Sequence, residues 1–180
     1  MTDEAAPHVV PSGGGSDYDW AQDHVFVKSP LELTQGRVTV VEDRLKAGFH
    51  LGRHHHRKVV EIFHVLDGEV RFVFDDSSVL AIPGTTITVP QGVWHEVMCL
   101  NGGRLITVFT PGGFDHYLAE LDAMDPAELE NAGAMRRLSE LYDIWTSPLS
   151  DPDGPSPPGP QGPRPSAMVS SQSPSNPPCP

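Results

Sequence analysis

Between His24 and Pro111 the chain breaks into short apolar or alternating runs, each closed by turn residues, and no helical periodicity crosses them. That pattern limits the fold more than any composition does, because strands so short and so evenly spaced have to stack as a sandwich or barrel. The runs are HVFV (24–27), GRVTVVEDRL (36–45), VVEIFHVLDG (59–68), EVRFVFDD (69–76), SVLAIPG (78–84), TTITVPQG (85–92), WHEVMCL (94–100) and RLITVFT (104–110). Punctuation falls at Asp67-Gly68, Asp75-Asp76, Pro83-Gly84 and Asn101-Gly102-Gly103. Asp67-Gly68, set between two alternating runs, predicts a hairpin. The fold class is therefore all-β, without an internal repeat.

After Gly113 the pattern changes, and Leu118, Leu121, Leu129, Met135, Leu138, Leu141 and Tyr142 fall at helix-like spacing. Asp125, Pro126 and Glu128 supply an N-cap, a proline in the first turn and a capping-box acid, so a helix starts there. Asn131-Ala132-Gly133 breaks the segment in two. From Ser147 onward Pro, Gly and Ser dominate, and so few large apolar residues cannot offset the entropy of ordering. The organisation expected is a partly disordered N-terminal extension over 1–22, a β-barrel over 23–113, short helices packed on it over 114–146, and a disordered tail over 147–180. Within the extension, Val9, Tyr18 and Trp20 are residues able to pack onto the barrel.

The 180 residues carry 12 Lys and Arg against 24 Asp and Glu, for a formal charge of −12. With no basic cluster to neutralise phosphates, nucleic acid is excluded as a partner. The start of the chain has no apolar core of a signal peptide, and no run reaches the length of a membrane span. Two cysteines, Cys99 and Cys179, make no disulfide framework, so a reducing, cytoplasmic setting is expected.

Six of the nine histidines lie between residues 50 and 95, three of them consecutive at His54, His55 and His56. In a strand, residues two apart share a face, so His54 and His56 can enter one cavity while His55 points away. Glu61 follows a turn at Arg57-Lys58, and His95 follows the turn Pro90-Gln91-Gly92. Three imidazoles and a carboxylate brought together suit Fe, Mn, Ni, Co or Zn, with positions left for water or substrate. On strand parity Phe63 shares the face of Glu61, and Val97 and Cys99 that of His95; with Val70, Phe72 and Phe74 they form an apolar wall suited to an aromatic or polyketide-like substrate. His50, His55, His64 and His116 fall outside this set, and Cys99 reads as a small buried hydrophobe.

These residues resemble a family. Gly48, five residues, His54-x-His56, four residues, Glu61, six residues and Gly68 are similar to the first cupin motif; Gly84, five residues, Pro90-x-Gly92, two residues and His95 are similar to the second. Position 99, where an Asn often closes the second motif, is Cys. The resemblance covers about residues 24–112 and implies a jelly-roll barrel, often a homodimer, with one divalent transition-metal ion held by His54, His56, Glu61 and His95. It leaves two roles open for Glu61, a fourth ligand or a general base.

A second stretch, Thr110-Pro-Gly-Gly-Phe-Asp-His-Tyr117, resembles the segment after the barrel in single-domain cupins related to quercetin 2,3-dioxygenase. It implies that Phe114 and Tyr117 line or gate the cavity entrance, or anchor the helix. The function expected is a metal-dependent, quercetinase-like dioxygenase acting on a small aromatic or enolic molecule. The alternatives are a non-redox, zinc-dependent cyclase or isomerase of aromatic polyketide biosynthesis, and a small-molecule-binding cupin without catalysis. The last is weakened because no helix-turn-helix or basic segment accompanies the barrel.

Overall fold

The alternating runs become strands of two antiparallel sheets whose inward faces share one core. The computed structural model describes residues 6–147. Residues 1–5 and 148–180, including nearly all of the expected disordered tail and Cys179, lie outside the described residues. In chain order the strands are β1 (Asp17–Asp19), β2 (Asp23–Ser29), β3 (Thr39–Leu45), β4 (Phe49–His55), β5 (Val60–Gly68), β6 (Val70–Phe74), β7 (Ser78–Ala81), β8 (Thr86–Val89), β9 (His95–Cys99), β10 (Gly103–Thr110) and β11 (Trp145–Thr146). Helices α1 (Phe114–Ala123), α2 (Pro126–Glu130) and α3 (Ala132–Leu141) precede β11. One sheet runs β1-β2-β3-β10-β5-β8 and the other β11-β4-β9-β6-β7.

Alternation decides which side chains meet between the sheets. Phe63 and Val65 of β5, Phe72 of β6, Val97 of β9 and Leu105 of β10 all turn inward and are almost fully buried. Phe72 is wholly buried against Phe63, with ring centroids 5.0 Å apart. Burial of one such phenylalanine contributes about 2–3 kcal/mol. A second cluster of Val25, Val27, Val41, Phe109 and Leu118 brings α1 onto the first sheet. Tyr18 and Trp20, stacked at 5.5 Å, pack against this cluster, and β1 pairs with β2. The extension thus adds an edge strand to the barrel.

Asp67-Gly68 does not form the expected hairpin. Strand β5 pairs with β10 and β8, whereas β6 pairs with β9 and β7 in the opposite sheet. The turn is a corner that passes the chain from one sheet to the other. Gly68 has φ 78°, and a Cβ there would lie 2.5 Å from the Gly102 carbonyl oxygen, so the residue is required both by conformation and by close approach.

The helix signals hold where they are local. Asp125 accepts from the Glu128 main-chain N–H at 2.9 Å, Glu128 returns the bond to the Asp125 N–H at 3.1 Å, and Asn131 caps α3 through the Gly133 and Ala134 N–H groups. The expected apolar stripe is only partly covered. Leu118 is buried, but Leu129 and Leu141 are 44% and 70% exposed; α2 packs chiefly on α3, and α3 on α1 and β11.

Candidate metal centre

His95 opens β9 and stands in register with His54 on β4, so the two imidazoles project from adjacent strands of one sheet, ring centroids 4.1 Å apart. Strict alternation from Leu51 would turn Arg53 inward instead. A one-residue bulge between Leu51 and His54 shifts the parity and delivers His54 to the interior. His56 lies just beyond the end of β4, where its carbonyl accepts from the Gly92 N–H at 2.6 Å and ties it to the turn before His95. Gly92 has φ 79°, which lets that turn close tightly. Glu61 arrives from β5 of the other sheet.

These four residues are 0–4% exposed, and one ligand atom of each lies within 4.8 Å of all the others. The Nε2 atoms of His54, His56 and His95 stand 3.9, 3.1 and 2.9 Å from Glu61 Oε2. Each ring is oriented from behind, with Nδ1 donating to a main-chain carbonyl: His54 to Gly52 at 2.9 Å, His56 to Asp143 at 2.9 Å and His95 to Val93 at 3.1 Å. In the neutral ring this leaves the Nε2 lone pair pointing at the carboxylate. His56 Nε2 has no hydrogen-bond partner although it is buried at 3.1 Å from that oxygen. A cation held among these atoms would satisfy the carboxylate and the imidazole nitrogens together, and three imidazoles with a carboxylate are the donor set of a divalent transition metal. The residues present fit the ion that the motifs imply.

The electrostatics of His54 and Glu61 run the same way, whereas at His56 the Glu61 carboxylate outweighs burial and favours the imidazolium that a bound ion would displace. Burial pushes the His54 imidazolium down to about 4, against the pull of Glu61. Burial also opposes ionisation of Glu61, but the imidazoles of His56 and His95 outweigh it and hold the carboxyl well below its usual range. A neutral His54 and an anionic Glu61 are the forms that bind metal. His55 points away and packs tilted against Trp94, ring centroids 4.3 Å apart, while His64 bonds Thr86 at 2.8 Å and His116 bonds Glu32 at 2.7 Å, all apart from the centre.

A cavity of about 250 Å³ opens beside the ligands. Phe63, Val97, Phe114 and Tyr117 line it, as expected for the pocket. Phe72 does not; it lies behind Phe63 as core, because β6 is one strand further from the opening. His50, Asp23 and Asp43 also line the cavity, although sequence parity did not single them out.

Asp143 is a further residue the motifs do not reach. It holds a left-handed conformation, φ 64°, just past α3, and its carbonyl receives the His56 Nδ1 proton. Its carboxylate accepts from the N–H groups of Lys58 at 2.6 Å and Val59 at 3.1 Å, and from Trp145 Nε1 at 3.0 Å. One residue therefore fixes both the orientation of His56 and the turn that leads to Glu61. Asp143→Ala is expected to weaken metal affinity by about 10–100-fold, the usual cost of losing a partner behind a ligand. Asp143→Gly, which keeps the left-handed backbone and its carbonyl, should lose less. Metal titration of the two variants, alongside their melting temperatures, separates the carbonyl's role from the carboxylate's. Equal affinities for wild type and Asp143→Ala would remove Asp143 from the site.

Residues 36–112 match the family described as Cupin domain, and this stretch contains His54, His56, Glu61 and His95. Solved cupin structures superpose on it. KdgF from Halomonas sp. shares 15% identity over 61% of this chain and 99% of its own, with a TM-score of 0.54. An RmlC-like cupin from Shewanella frigidimarina shares 20% over 62% and 96%, TM-score 0.53. A predicted oxalate decarboxylase from Thermotoga maritima shares 18% over 58% and 99%, TM-score 0.54. Identities this low speak for the fold alone. No curated protein matches the chain. Among the described residues no helix is long and apolar enough to cross a membrane.

Proposed function

We propose that this protein is a metal-dependent enzyme acting on a small enolic or aromatic molecule, as a dioxygenase of the quercetinase kind. The observation that carries the reading is a cluster of four donor residues, three of which (His54, His56 and Glu61) line a cavity walled by Phe63, Phe109, Leu45, Leu105 and Val97. No Lys or Arg is among the described residues that line it, whereas Asp23, Asp43 and Glu61 are. Oxalate, named for the Thermotoga protein, is a dianion, and such a wall repels it. An uncharged planar molecule suits the apolar faces better. A divalent ion held by His54, His56, Glu61 and His95 would supply Lewis acidity toward an enol or phenol oxygen, and redox chemistry with oxygen if it is Fe, Mn, Co or Ni.

The residues do the rest. Phe63 and Phe109 hold the ring system and exclude water, and Phe114 and Tyr117 of α1 border the cavity as candidates for its gate. Glu61 Oε2 is turned toward the imidazoles, and Oε1, which makes no hydrogen bond among the described residues, would accept a hydrogen bond from a substrate hydroxyl. Metal content by elemental mass spectrometry, with oxygen uptake on a flavonol, tests the proposal. Stoichiometric Fe, Mn, Co or Ni with uptake supports it. Zinc without uptake favours cyclisation or isomerisation at the same centre, and ligand binding without metal favours a binding role.

We also propose a homodimer, in line with the family resemblance and with exposed apolar side chains on the outside of the barrel, Leu66 at 37%, Leu80 at 49% and Ile82 at 55%. Sedimentation equilibrium is expected to give twice the chain mass of 19.5 kDa. A single-chain mass would exclude it.

A further inference from the structure

The cavity wall holds a further buried carboxyl besides the proposed metal ligands. Asp43 is inward-facing on β3, buried, and opposite Leu105 of β10, whereas Glu61 stands opposite Phe109 of the same strand. Four residues of β10 separate the two levels, roughly 13 Å measured along the strand. Thr107 lies between them and donates its hydroxyl to Asp43 Oδ2 at 2.6 Å. Asp43 Oδ1 makes no hydrogen bond among the described residues, and no cation there pairs with the carboxyl. The charged neighbours on its strand, Glu42 and Arg44, pair with each other instead. A buried carboxyl left without a counter-charge on a cavity wall is an expensive arrangement for packing alone.

Resting on the reading above, we propose that Asp43, oriented by Thr107, is a substrate-binding residue that hydrogen-bonds a second oxygen function of the substrate. The substrate class this selects is an uncharged molecule of linked or fused rings, with one enolic or phenolic oxygen at the metal and another hydroxyl or carbonyl at Asp43. The groups that face Asp43 agree with an uncharged ligand. They are Asp23 from β2, Glu61 from β5 and Thr107 from β10, with His50 and Tyr117 elsewhere on the same wall. Burial, reinforced by Asp23, Glu61 and Glu42, pushes the Asp43 carboxyl up to about 7, so it is available as donor as well as acceptor near neutrality.

The test is a cycle between one ligand change and one residue change. Zn²⁺-loaded protein, kept under nitrogen to prevent turnover, is titrated with 3-hydroxyflavone, which has a single hydroxyl for the metal, and with quercetin, which adds phenolic hydroxyls. Wild type is expected to favour quercetin about fivefold to tenfold, the effect of one hydrogen bond. Asp43→Leu should bind the two equally with its zinc content unchanged. Asp43→Asn, equal in size and safer for folding, should keep a reduced preference, and Thr107→Val should behave similarly. A preference that persists undiminished in Asp43→Leu and Asp43→Asn overturns the assignment, as does a wild type without preference. If neither flavonol binds the zinc-loaded wild type, the reading of the site as one for enolic aromatics fails, and Asp43 falls with it.

Discussion

Replacing His95 by alanine is expected to leave a folded protein that no longer retains a divalent ion. The side chain is wholly buried, stands in register with His54 and supplies the Nε2 nearest Glu61, at 2.9 Å. Losing it removes one of four donors, a larger change than losing a partner behind a ligand, so affinity should fall by more than the roughly 100-fold upper range of such second-layer changes. The fold should survive, because the deletion leaves a gap worth about 1–3 kcal/mol while it also thins a crowd of lone pairs around a carboxylate. Elemental mass spectrometry after dialysis, with circular dichroism for the fold, reads both. The control lies in the same run of three histidines: His55→Ala should keep its metal, since that ring packs against Trp94 outside the centre. Full metal in His95→Ala, or loss in His55→Ala, would reverse the ligand assignment.

The parts of this protein legible in its sequence are those written in short-range patterns. Eight strands follow from alternation, and Asp125, Pro126, Glu128 and Asn131 place their helix boundaries because capping is settled within a few residues. The buried cluster was legible too, since motif spacing ties His54, His56, Glu61 and His95 together. Long-range geometry was not. Asp67-Gly68 announces a sharp turn, but nothing local says whether the next strand folds back or crosses to the other sheet. Phe72 has the right parity for the pocket and the wrong strand. Asp143 sits 87 residues from the imidazole it orients, and its only sequence trace is an Asp beyond a helix end, a residue type that tolerates left-handed backbone. Asp43 looks like one polar residue in an alternating run, and its burial shows only once β2, β3 and β10 are laid side by side.

Asp43→Asn is expected to stabilise the metal-free protein at pH 8 and to change it little at pH 4. The carboxyl is raised from an ordinary value of 3.8 to about 7, first by burial and then by the neighbouring Asp23, Glu61 and Glu42. Below pH 4 the group is neutral in both folded and unfolded chains and has no effect. As pH rises toward 7 the unfolded chain gives up the proton while the folded chain keeps it, so stability falls by about 1.4 kcal/mol per pH unit, about 4 kcal/mol in all. Above pH 7 both states are ionised and the penalty stays constant. Asparagine does not titrate and still accepts the Thr107 hydroxyl, but its amide needs a partner of its own, so roughly half of that range, about 2 kcal/mol, should be recovered at pH 8. For a domain of this size that is a rise of roughly 5–8 °C in melting temperature. Bound metal should shrink the difference, because a divalent cation in the same cavity favours the carboxylate. Thermal unfolding of both proteins at pH 4, 6 and 8, with and without chelator, measures the whole curve. A gain that is the same at pH 4 and pH 8 would show that Asp43 does not hold its proton in the fold.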